Sequence, residues 1–402
     1  MRWGRADGLL PHRAWPGAER GEHHAGADGC VAGAADVRGG GRDLCRPGGT
    51  ARARGIVTGA STSRVGWPDV AKGICIILVV LWHVVTKHAI DVAGAGPVTD
   101  AWATLNAQLL PLRIPLFFLV SGMFAARAVL ADDGSSWRRR AARLALLYVV
   151  WVLIQTFVLA LTPDFDTARA TNGWELLAQL SISPTNLWYL LALVVYLAIG
   201  RLTRGLPTVT VLAVAFVIAA IAGTGIIPDL GNLWQLVQNL FFFLVGLRLR
   251  AVVARFAKSV GVGGALALAA VYVGGLAVVA GLAIRLLPGV WPALALIAVA
   301  FGVSLSVLLD RHAGVVARPL RWIGQRTLPI YVLHMMPLAL IDAGLDAAGW
   351  RTTPVLEAIG PIVLTAAVIA ICLGVHALLV RCGLGVLFDP LQATDRLVRL
   401  RR

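Results

Sequence analysis

Lys72 and His83 stand eleven residues apart inside the first long apolar run, 70–85. Eleven steps of about 100° bring a helix back to within about 20° of its starting direction, so the two side chains share one face. The same geometry separates them by about 16 Å along the axis, roughly half a hydrocarbon thickness. Lys72 is thus expected near one interface and His83 near mid-membrane. An imidazole there, left neutral by burial, is able to take a proton from a hydroxyl. A satisfied polar contact between packed helices is the competing reading. Asp69 lies three residues before Lys72, one turn away, where the two can pair.

Other polar residues in apolar runs need a reason. Arg113 sits about two turns into the second run, and a buried guanidinium requires an anion or several acceptors. A substrate group or a carboxylate on a neighbouring helix would serve. Tyr331 and His334 lie in LPIYVLH of the ninth run, with His334 about 12 Å past Arg326 along the axis, near mid-depth. His376 is expected at an interface. Trp188 and Tyr189 are expected in an aromatic belt at the outer surface, and Gln238 and Asn239 as contacts between helices. Ser121 and Gly122 are small enough for close helix packing. No Ser–His–Asp arrangement, phosphate-binding Gly-rich loop or metal-ligand spacing is present in the sequence, and the five Cys form no CxxC pair. Direct transfer of a group to an acceptor oxygen is the simplest chemistry left.

The elements that must position these residues are apolar helices. The chain has 402 residues, is 58% hydrophobic and only 14% charged, against about 25% charged in soluble domains. Its mean hydropathy is +0.78. This is an all-α, polytopic membrane protein. Ten runs could span: roughly 70–86, 105–126, 141–161, 186–200, 208–227, 232–247, 260–284, 290–309, 327–343 and 355–380. Pro111 and Pro115 predict a kink or break in the second. The loops alternate in charge, one set holding 20 basic residues and the other 4, which predicts a cytoplasmic face for the first set and for both termini. The net charge of +15 is therefore a topology signal, and no nucleic-acid partner is expected.

Three segments are expected. Residues 1–63 form a disordered or mis-assigned extension; its first 56 residues hold thirteen Gly and nine Arg and no apolar run, and translation beginning at Val57 would omit them. Residues 64–384 form the transmembrane domain, and 385–402 a short basic cytoplasmic tail. No second soluble domain is expected, so chemistry must occur within or beside the bundle. The stretch 174–180 reads as an interfacial helix in the longest outer loop.

The stretch WPDVAKGICIILVVLWH at 67–83 resembles the acyltransferase 3 family of integral membrane O-acyltransferases, with a basic residue, ten intervening residues and His. RIPLFFLVSGMF at 113–124, NLWYLLALVVY at 186–196, NLFFFLVGLRLR at 239–250 and LPIYVLHMMPL at 328–338 follow in order. The resemblance implies a ten-helix bundle that moves an acyl group, usually acetyl, from acyl-CoA to a hydroxyl of a carbohydrate or small hydroxylated metabolite. It implies no bound cofactor and a multi-pass place in a bacterial cell membrane, among membrane lipids. His83 becomes the catalytic histidine and Lys72 its basic partner, where relatives often carry Arg. Asp69, Arg113, Tyr331 and His334 are the accompanying substrate-binding candidates, the last three on depth and chemistry alone. A polytopic transporter or flippase is the alternative: ten spans, buried His and Arg and a Pro-broken helix suit one, although no inverted repeat is evident.

Overall fold

The computed structural model describes residues 65–87, 96–165, 167, 169–181, 185–227, 232–348 and 353–391. The N-terminal extension, its alternative start at Val57 and the basic tail beyond residue 391 lie outside the described residues. Among those residues the chain is all-helical, with no strand.

Fifteen α-helices follow in order: α1 (Trp67–Thr86), α2 (Pro97–Gln108), α3 (Leu110–Leu130), α4 (Ser135–Leu159), α5 (Gly173–Gln179), α6 (Trp188–Leu202), α7 (Thr208–Ala222), α8 (Leu233–Arg248), α9 (Arg250–Ser259), α10 (Val262–Gly281), α11 (Val290–His312), α12 (Gly314–Gly324), α13 (Thr327–Leu333), α14 (Met335–Ala347) and α15 (Pro354–Arg381). Every one of the ten apolar runs falls on a helix or a helix pair. Six helical stretches are long and apolar enough to cross a membrane, with α2 and α3 counted as one; α13 and α14, bent by 43° at their junction, would make a seventh. The helices α6, α7 and α8 are apolar but have only 15 or 16 residues.

Proline sets the two breaks that matter most. Proline has no N–H to give and is tolerated in a helix's first turn, where that donor has no partner anyway. Accordingly α2 ends at Gln108 and α3 restarts at Leu110, with Pro111 in its first turn; Pro115 is carried inside α3. Likewise α13 ends at Leu333 and α14 restarts at Met335, which puts Pro337 in the new first turn and leaves His334 on the corner.

Helix α1 sits at the centre, packed against α2, α3, α11, α12, α13 and α15. Two seams bring backbones together. A methyl group at Gly73 would overlap the Leu320 carbonyl and one at Gly324 the Asp69 carbonyl, so α1 and α12 touch main chain to main chain. Gly122 meets the Phe243 carbonyl and Gly246 the Leu119 carbonyl, which does the same for α3 and α8. Small residues are how membrane helices gain close van der Waals contact where lipid provides no hydrophobic drive between them.

The basic loops also have a structural use. Arg201 donates to the carbonyls of Val129 and Asp132 at 3.2 and 3.1 Å, in the last turn of α3 and just past it. Arg248 donates to those of Arg204 and Leu206, past α6, at 3.3 and 3.4 Å. Arg311 donates to those of Ala257 and Lys258 in α9 at 2.8 and 3.1 Å. Each arginine satisfies carbonyls at or just past a helix end, where intrahelical donors run out.

Some polar residues are placed differently from the expectation. Trp188 and Tyr189 are not an outer belt: both are buried, Tyr189 stacked on Phe117 at 4.7 Å and Trp188 against Phe118 at 5.8 Å. Asn239 donates to the Gln235 carbonyl of its own helix at 2.8 Å rather than across a helix pair. The short helix α5 falls on the predicted loop stretch, with Trp174 and Leu177 exposed. Asn172 caps it by accepting from the Glu175 amide at 2.9 Å, while the Glu175 carboxylate accepts from the Thr171 amide at 2.6 Å, a reciprocal capping arrangement.

Candidate active site

Asp69 and Lys72 occupy the first turns of α1. Lys72 Nζ lies 2.8 Å from Asp69 Oδ1 and 4.9 Å from the centre of the Phe124 ring on α3. The other Asp69 oxygen accepts from Gln325 Nε2 at 3.2 Å, from the turn after α12. Asp69 is buried because the α1–α12 seam closes over it, whereas the Lys72 side chain keeps 17% of its surface. The ammonium is thus oriented by a carboxylate and a ring yet still reachable. Gln325 was not foreseen, since nothing in its sequence neighbourhood marks it as facing Asp69.

His83 lies inside the bundle. Its ring is 7% exposed, packed edge-on against Trp82 at 4.5 Å and 4.9 Å from the ring of His334, the planes inclined at 50°. His334, fully buried, comes from the corner between α13 and α14. Its Nδ1 sits 2.8 Å from the Tyr331 carbonyl. A carbonyl only accepts, so Nδ1 carries the hydrogen and Nε2 of the neutral ring holds a lone pair. That Nε2 is buried with no hydrogen-bond partner among the described residues, and so is His83 Nδ1. Two imidazoles with unused nitrogens therefore share one buried space.

Tyr331 is engaged on both sides. Its hydroxyl donates to the Asn186 carbonyl at 2.6 Å and accepts from the Tyr189 amide at 3.2 Å. The one phenolic proton is committed to main chain, which ties α13 to the start of α6. Ser121 joins this junction: its hydroxyl is 2.5 Å from that of Tyr189 and donates to the Phe117 carbonyl at 2.8 Å. Gln155 of α4 donates to the Val332 carbonyl at 2.8 Å, holding the same turn from a third side.

Arg113 is 2% exposed, in the first turns of α3. It donates to the Asn106 carbonyl at 3.2 Å, and its guanidinium carbon lies 5.2 Å from the centre of the Trp82 ring. Trp82 is the neighbour that sequence reading passed over, although it directly precedes His83; its ring bridges Arg113 and His83. The four elements α1, α3, α13 and α14 thus converge on one interior region, with Lys72 at its far end. His376 lies apart from it, its ring 4.5 Å from Phe388 beyond α15.

Comparison with known proteins bears on this arrangement. The inner membrane protein YcfT of Escherichia coli (strain K12) is 27% identical over 215 residues, 48% of this chain and 58% of that protein, so the match spans little more than half of that relative's length. No solved structure matches the chain. The family model described as an acyltransferase domain matches residues 65–380, from the residue before Gly66 at the head of α1 almost to the end of α15. The chain is a multi-pass membrane protein that belongs to the acyltransferase 3 family.

Proposed function

We propose that this protein transfers an acyl group, acetyl in the simplest case, from acyl-CoA to a hydroxyl of a carbohydrate or other small hydroxylated acceptor, within the membrane of a bacterial cell. In this reading all ten apolar runs cross, and both termini and the arginine-rich loops face the cytoplasm. The observation that carries it is the contact between His83 and His334. Two imidazoles this close in a low-dielectric interior do not both hold a proton, because the like charges repel. The pair then acts as one base able to take one proton.

The chemistry balances without a cofactor. The acceptor oxygen attacks the thioester carbonyl carbon as its proton passes to His83. The C–S bond breaks, the ester C–O bond remains, and the proton is delivered to the departing thiolate. General-base assistance of this kind contributes typically about 10²–10⁴-fold. Tyr331 contributes by position: its carbonyl fixes the His334 ring and its hydroxyl fixes α13. Lys72, held by Asp69, attracts the phosphates of the donor from the cytoplasmic side.

The test is transfer of radiolabelled acetyl from acetyl-CoA, or its slow hydrolysis, by the full chain in nanodiscs. His83→Ala is expected to abolish both while the thermal midpoint holds; a folded His83→Ala protein with the full wild-type rate sinks the proposal. The bend between α13 and α14 favours a transporter instead. Flux of a hydroxylated solute across the bilayer with no acyl donor present would decide for that reading.

A further inference from the structure

Arg113 has no part in the proton transfer above, yet it is the most costly side chain in the region. A guanidinium offers five N–H donors and stays charged. Among the described residues it makes one hydrogen bond, to the Asn106 carbonyl, and lies over one ring, that of Trp82. No carboxylate among the described residues pairs with it. An ionised group taken out of water costs several kcal/mol unless it is paired. One neutral acceptor and a ring face do not offset that. The positive end of α3 adds to the same field, since Arg113 lies in its first turns and Leu109 supplies no side-chain cap.

A second group nearby is also unsatisfied. Asn106 is 1% exposed; its Nδ2 donates to the Trp102 carbonyl at 3.0 Å, but its Oδ1 has no partner among the described residues. Among the described residues, a cation without a carboxylate thus bonds to the main chain of a residue whose own side-chain oxygen has no partner. The first calls for an oxyanion and the second for a hydroxyl or amide proton. Through Trp82, Arg113 lies one ring away from His83, toward the α2 side of the site. Lys72, which the proposed mechanism gives to the donor, lies eleven residues back along α1, about 16 Å from His83.

We propose that Arg113 binds an anionic group, a carboxylate or a phosphate, carried by the acceptor, so that the molecule acylated here is negatively charged as well as hydroxylated. The assignment to the acceptor rests on the reading of His83 given above; the anion site itself does not. A planar carboxylate can take two parallel N–H bonds from Arg113, while a phosphate takes the same donors with more charge.

The experiment is the thermal midpoint of the full chain in nanodiscs, titrated with glucuronate, glucose 6-phosphate or glucose at fixed ionic strength. The wild type is expected to show a saturable rise with glucuronate or glucose 6-phosphate and none with glucose, and whichever anion acts at lower concentration identifies the source. Arg113→Met is expected to weaken that response tenfold or more and Arg113→Lys to keep part of it, while Lys72→Ala and His83→Ala retain it. An equal response from glucose, no saturable response to either anion, or an unchanged response in Arg113→Met overturns the proposal. So does an Asp91→Asn variant, at a position outside the described residues, that loses the same stability as Arg113→Met with no further loss in the double variant, because Arg113 would then belong to an internal ion pair. Transfer activity that survives His83→Ala, alongside an intact anion response, would remove the mechanism and leave the anion site standing.

Discussion

Helices α1 and α10 are both 20 residues long and nearly equal in hydropathy, 1.9 and 2.1, yet 56% of one apolar window is buried inside the protein and only 11% of the other. In water, hydropathy alone would send both inward. In lipid it does not, because a hydrocarbon tail solvates Leu as well as a neighbouring helix does. What separates the two is polarity and close contact. Helix α1 carries Asp69, Lys72 and His83, each costly in hydrocarbon and each given protein partners. Helix α10 turns Leu266, Val271, Val273 and Val278 outward and buries only Ala265 and Tyr272, whose hydroxyl donates to the Gln108 carbonyl. The glycines follow the same division. Gly73 of α1 lies on the α12 backbone, while a methyl at Gly263, Gly264, Gly274 or Gly281 of α10 would meet nothing within 4 Å.

The sharpest way to break this comparison is to add one methyl group on the buried side. Gly324→Ala drives a Cβ into the Asp69 carbonyl, which is main chain and cannot swing aside. The expected loss is about 3 kcal/mol, at the upper end of the usual overpacking range. Thermal or SDS-induced unfolding of the variant in micelles measures it. Because the clash falls on the turn that carries Asp69 and Lys72, acyl transfer is expected to fall as well. A wild-type unfolding midpoint would show that α1 and α12 are not held main chain to main chain.

A second test asks whether the polar end of α1 serves a substrate or only the fold. Lys72→Ala is expected to raise the donor KM about tenfold, the equivalent of about 1.4 kcal/mol, with kcat little changed. Lys72→Arg keeps the charge and should stay near wild type. Asp69→Asn removes the carboxylate that orients the ammonium at 2.8 Å and should move KM the same way by less. A donor KM unaffected by Lys72→Ala assigns the pair to helix packing alone.

Much of this was readable before any coordinates. Composition named the class, each apolar run became helical, and the eleven-residue spacing put Lys72 and His83 on one face of one helix. Pro111 marked the α2–α3 break. The contact between His83 and His334 was not readable, because periodicity reports which face of a helix is polar and says nothing about which helix lies opposite. Tyr331 illustrates the same gap: its depth invited a role in binding substrate, but its hydroxyl is turned to the Asn186 carbonyl, a partner with no sequence signature. Trp188 and Tyr189 sat at the run's edge as belt residues do, and only packing against Phe117 and Phe118 draws them inside.

The smallest effect is expected where the comparison predicts indifference. Gly264→Ala on α10 adds a methyl group to open space. In a helix interior the exchange removes backbone freedom from the unfolded chain, which favours Ala by up to about 1 kcal/mol. The lipid-facing surface loses nothing, because no neighbour packs there. The same unfolding measurement should therefore give a midpoint equal to or slightly above wild type, with the acetyl-transfer rate unchanged. A loss of 2 kcal/mol or more, on the scale of overpacking (about 1–3 kcal/mol), would mean that another helix occupies this face in the membrane. A second copy of the chain would be the first candidate, since helices exposing small residues associate by close backbone approach. Chemical crosslinking of the protein in nanodiscs would then locate that dimer seam.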